Sequence, residues 1–165
     1  MHPEISRKEE RLGHLFQQAS DLQKNDDIDD ELKAQFVWYL CIRTSGYLES
    51  SVKSILLEYV ESQTESRQVV DFAENRLRRA RALDRGEILG LVKQFSTVWR
   101  RRLGKLINPD LRVSLDNLLT NRNEIAHGGD APNLSLIDLE NYYEDVKKVV
   151  KFVYDECYPQ EGDSN

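Results

Sequence analysis

One long run of helical periodicity constrains this chain more than any other feature. In ELKAQFVWYLCIRTSGYLESSVKSILLEY, the apolar positions Leu32, Phe36, Tyr39, Leu40, Tyr47, Val52, Ile55, Leu56 and Tyr59 recur at helical spacing. A helix of this kind has to bury its stripe against other helices. The rest of the sequence supplies them. Leu12, Leu15, Phe16, Ala19 and Leu22 share one face behind SRKE, which reads as a capping box. Further helices are expected from about Ser66 to Leu83 and from about Glu87 to Phe95, with another short turn or two in STVWRRRL. No strand-like alternation of useful length competes, so the prediction is an all-α, up-down helical bundle with additional short helices. Gly46 interrupts the long helix at a cost of about 1 kcal/mol relative to alanine. A kink or the close approach of another helix is the usual compensation.

The 165 residues are most economically one folded unit. A chain of that size buries roughly 70% of its unfolded surface, enough for a core without staples. Residues 1–24 are expected to form an amphipathic helix packed on a bundle of residues 25–158, with 159–165 as a disordered tail. The start, MHPEISRKEERLGHLF, has no uninterrupted apolar run, so no signal peptide is expected there. No stretch approaches the length of a membrane span. Cys41 and Cys157 both lie in helical pattern, which favours buried free thiols over a disulfide. The cytoplasm is the expected compartment.

The net charge of −6 argues against a nonspecific nucleic-acid coat protein. The charge is unevenly distributed, however. Between Arg76 and Lys105, ten basic residues stand against only Asp84 and Glu87. Such a run is either a solvated helix face or a surface that contacts phosphate. Arg76, Arg78, Arg79, Arg100, Arg101 and Arg102 are its candidate contacts.

The sharpest local signal is NRNEIAHGG, at the end of a leucine-rich helix. Asn108 can cap that helix, Pro109 suits its first position, Asp110 complements the dipole, and Gly128-Gly129 can end it. Arg122 falls in the middle of the apolar stripe Leu111, Leu115, Leu118 and Ile125. A guanidinium there cannot shed its charge, so it needs a carboxylate, a phosphate or a wet cleft. Glu49 of the long helix is a candidate carboxylate. Asn123 and His127 share a face at i and i+4, whereas Arg122 and His127 lie about 140° apart on an ideal helix. Either the helix end unwinds to bring them together, or a second copy completes the site.

The stretch Arg122-Asn123-Glu124-Ile125-Ala126-His127 resembles the signature of the HEPN superfamily: arginine, a polar residue, then histidine after a short interval. GYLESSVKSILLEYV, NRLRRA and ENYYEDVKKVVKFV extend the likeness to the RiboL-PSP-HEPN branch, over roughly Leu32 to Cys157. The resemblance implies a HEPN-like bundle that dimerises with its motif helices face to face. It also implies a metal-independent endoribonuclease with no cofactor, often a toxin or an antiviral-defence effector. Arg122, His127 and Asn123 would then be catalytic, Glu49 and Tyr47 supporting, and the six arginines RNA-binding. The expected partners are an RNA substrate, a second copy, and a cognate antitoxin or defence-system protein.

These residue types suit the reaction. RNA carries its own nucleophile, the 2′-hydroxyl. Histidine exchanges protons near neutral pH, and arginine stabilises phosphoryl oxygens through charge-assisted hydrogen bonds. The alternative is a non-catalytic module in which the same cluster binds an anion or sets the register of a dimer. A helix-terminal histidine can also simply complement the dipole.

Overall fold

The computed structural model describes residues 3–80, 84–131 and 133–159. Those residues form helices and no strand: α1 (Pro3–Gln23), α2 (Asp30–Gln63), α3 (Arg67–Arg79), α4 (Arg85–Phe95), α5 (Thr97–Leu106), α6 (Pro109–Ala126) and α7 (Leu136–Cys157). The long α2 is the axis. It packs along α7, α1, α6 and α3, while α7 also meets α6 and α1. The short helices α3, α4 and α5 are inserted between α2 and α6. The result is the expected all-α bundle with additional short helices.

The core is aliphatic. Leu40, Ile55 and Leu56 of α2, Leu118 of α6 and Leu139 and Val146 of α7 all belong to it, each fully or almost fully buried. Each such side chain contributes about 1.5–3 kcal/mol of transfer free energy. At the far end of α2 the ring of Tyr59 meets Trp99 of α5 edge-on at 5.3 Å and also contacts Phe95 and Tyr158. These contacts tie α4 and α5 to α2 and the end of α7. Cys41 and Cys157 are buried free thiols.

Three local expectations change. The SRKE segment is not a cap, because α1 is already helical at Pro3, whose fixed φ suits a first turn, and Ser6 falls inside the helix. Leu32 and Tyr39, counted in the inner stripe of α2, are 52% and 46% exposed. At 100° per residue they lie roughly 140–160° from the line through Val37, Thr44, Leu48 and Ile55. The third helix stops at Arg79, with Ala80 as its cap. Its expected extension to Leu83 lies outside the described residues, as does the tail beyond Pro159.

Gly46 is neither a kink nor a contact point. The helix runs unbroken through it, and a Cβ added there would meet nothing within 4 Å. Gly46→Ala is therefore expected to raise the unfolding free energy by about 0.5–1 kcal/mol. A urea midpoint unchanged or lowered by this substitution would show that the glycine has a structural role.

Candidate functional site

α6 starts as its sequence dictates. Asn108 Oδ1 accepts the Leu111 N–H at 2.9 Å, and Pro109 occupies the first turn. Leu111, Leu115 and Leu118 then bury one face. The Cys41 thiol donates weakly to the Leu118 carbonyl at 3.7 Å, and the Trp38 indole N–H donates to the Ala131 carbonyl at 3.2 Å. As α6 and its exit loop advance, their partners on α2 move back towards its start. The two helices are antiparallel, and the motif end of α6 lies beside the first half of α2.

Arg122 is half-buried in this region, and its Nη1 donates to Asn123 Oδ1 at 3.0 Å. Its charge is felt by Cys41. Burial pushes that thiol up to about 12, outweighing the nearby guanidinium, which favours the thiolate. Cys41 is thus an inert core thiol. Iodoacetamide at pH 8 should modify it only as fast as the native protein unfolds. Rapid labelling of the folded chain would contradict this burial.

His127 is the C-cap of α6, with φ −92° and ψ 10°, and is exposed. Its own N–H bonds back to the carbonyls of Asn123 at 3.1 Å and Glu124 at 3.2 Å. Gly128 follows at φ +81°, donating to Ile125 O, and Gly129 donates to Glu124 O at 2.9 Å. These bonds form a Schellman closure, which satisfies carbonyls that would otherwise be orphaned. A Cβ on Gly129 would come within 3.1 Å of Glu124 O, so any larger residue there would have to push the return open by a few tenths of an ångström. The last turn is therefore closed, not unwound. Arg122 and His127 of one chain stay on different faces, with Asn123 between them and bonded to the arginine.

The supporting residues lie elsewhere. Glu49 binds Lys53 at 2.6 Å, and Lys53 also reaches the Ala80 carbonyl. Among the described residues no carboxylate forms an ion pair with Arg122. For Glu49 the antiparallel pairing explains this, since it is eight residues beyond Cys41, about 12 Å further from the motif end. Tyr47 turns towards α1, and its hydroxyl donates to Glu9 Oε2 at 3.2 Å. Burial and the Glu9 carboxylate push its phenol well above the ordinary range, so it is a fixed neutral donor.

The basic run is divided between two supports. Arg76, Arg78 and Arg79 project from α3, which lies on α2, whereas Arg100, Arg101 and Arg102 belong to α5, which lies on α4 and α7. All six are exposed. Arg78 donates to Asn75 Oδ1 at 2.8 Å, and Arg102 pairs with Glu156 at 3.2 Å. Phe72, 74% exposed, stands one turn before Arg76 on α3. Trp38 is the neighbour of the motif loop that the periodicity of α2 did not pick out. The signal for it was its indole N–H, a donor that needs an acceptor once half-buried.

The fold and this helix end define a class of helical bundle that presents Arg–Asn–x3–His at an open, glycine-closed helix terminus. The sequence matches the RiboL-PSP-HEPN family over residues 4–158, and the chain belongs to that family. The match takes in α1, ahead of the stretch that carries the motif likeness. No curated protein and no solved structure matches the chain significantly.

Proposed function

We propose that the protein is a metal-independent endoribonuclease that works as a homodimer, as a toxin or antiviral-defence effector. The observation that carries this reading is the closed end of α6 in a chain of this family. His127 is exposed there, Arg122 is tied to Asn123 without a carboxylate partner among the described residues, and the two groups face different directions. A second copy apposed at this end would bring the histidine of one chain towards the arginine of the other.

Cleavage needs a base for the 2′-hydroxyl proton, an acid for the leaving 5′-oxygen, and positive charge on the phosphorane. The two imidazoles would divide the proton transfers, and the guanidinium groups would hold the non-bridging oxygens. Asn123 would keep Arg122 aimed. The products would be a 2′,3′-cyclic phosphate and a 5′-hydroxyl. The test is purified protein with RNA in the presence of a chelator, its products resolved by end-group analysis and its mass by sedimentation. Cutting that persists without metal and spares DNA is the expected result. Loss of cutting with chelator, cleavage of DNA, or no cutting at all would refute it.

A further inference from the structure

α1 separates two hollows of opposite charge. On its α7 side, a groove of about 790 Å³ is lined by Glu9, Glu10, Glu140 and Glu144, with Lys147 as its lone cation. On its α2 side, a cavity of about 340 Å³ has three cations, Lys8, Arg11 and Arg43, and no carboxylate in its lining. That is an unusual grouping in a chain of net charge −6.

Helical spacing builds this second cavity. α1 contributes Lys8, Arg11 and Leu12 at i, i+3 and i+4, and α2 contributes Ile42, Arg43 and Gly46 along one face. Lys8 is shared with Glu4 at 2.8 Å. Arg11 and Arg43 form no ion pair among the described residues, and Arg43 only approaches the Tyr39 ring, 6.0 Å from its centroid. Like charges collected around one hollow repel unless an anion joins them. Gly46 lines the same hollow, so any side chain at that position would take up its space. The mid-helix glycine that packing does not require is accounted for if the space is used.

We infer that this cavity binds the phosphate of a nucleotide-sized ligand, a nucleoside monophosphate either free or at the end of an RNA chain. Arg11 and Arg43 offer planar donor forks to phosphate oxygens, with Lys8 as a point charge beside them. Leu12 and Ile42 give the sugar and base an apolar wall. The volume is at the small end of ligand pockets, which run from about 300 Å³ upward. None of the residues lining this cavity belongs to the motif at the end of α6, and the site would give α1 a task of its own.

Calorimetry on the full chain tests it, with AMP, inorganic phosphate and adenosine as probes. AMP should saturate at one per chain, and adenosine should fail to bind. Arg11→Gln and Arg43→Gln should each weaken AMP by about ten- to a hundredfold. Gly46→Leu should abolish binding while the melting temperature holds or rises, because leucine is the better helix former, so a folding defect cannot mimic the result. An uncleavable 2′-O-methyl oligonucleotide with a 5′-phosphate distinguishes the two sources. Competition with AMP identifies an RNA end, and AMP binding without competition identifies a free nucleotide. The inference is overturned by no saturable binding of phosphate or AMP, by adenosine binding as tightly as AMP, or by full affinity in the Arg11 and Arg43 variants.

Discussion

His127→Ala should slow RNA cleavage by about 10²- to 10⁴-fold, the usual contribution of a positioned proton-transfer group, in a protein as stable as the wild type. The second half of that expectation makes the first informative. The imidazole is exposed, and the cap is made by the backbone N–H of residue 127, which alanine keeps. Surface changes of this kind usually move stability by less than about 0.5 kcal/mol. Arg122→Ala should cost about 10²- to 10³-fold by removing charge from the phosphorane, with about 1 kcal/mol of stability lost along with the bond to Asn123. Arg122→Lys should not restore the rate, because an ammonium cannot reproduce a guanidinium held by Asn123 and facing a phosphate. Initial rates at saturating RNA, thermal melts and sedimentation on the same preparations check all three variants. A His127→Ala protein that cuts within severalfold of wild type would remove the imidazole from the chemistry.

Local rules made much of this molecule readable in advance. Asn108-Pro109 starts α6 and Gly128-Gly129 ends it, each through atoms a few residues apart. The buried thiols and leucine stripes follow from periodicity alone. Partnerships across helices were less legible. Glu49, read from the sequence as a candidate partner for Arg122, pairs instead with Lys53 at i+4, because the direction of α6 along α2 carries the motif end away from it. Tyr47 could have faced any neighbour of α2, and only the placement of α1 assigns its hydroxyl to Glu9. Periodicity tells which face is inside. It does not tell which helix covers that face or in what register, and a site shared between helices depends on both.

The same limit explains why the largest stability effect is expected at Tyr143, whose sequence signal is only one more apolar position on α7. Its ring stacks on Phe16 of α1 at 4.8 Å and meets Tyr47 of α2 edge-on at 6.0 Å, and its hydroxyl donates to the Glu9 carbonyl at 3.1 Å. One side chain thus joins three helices. Tyr143→Ala should cost about 3–5 kcal/mol, in the range of buried aromatic deletions, and should loosen α1 first, seen as early proteolysis near its end. Tyr143→Phe keeps the ring and should cost about 1 kcal/mol at neutral pH. Alkali separates the two contributions. Burial, then the Glu9 and Glu144 carboxylates, raise the Tyr143 phenol above its ordinary value of 10.0 in the folded chain. Below that pH its contribution is intact. Above it the unfolded chain loses a proton that the folded chain retains, so stability falls as pH rises towards the folded value. Each such group adds about 1.4 kcal/mol per pH unit to the slope, and Tyr143→Phe should remove one group's share. Urea midpoints between pH 9 and about 11 measure that slope directly. An unchanged slope in the phenylalanine variant would mean that this phenol titrates as freely in the fold as in the open chain.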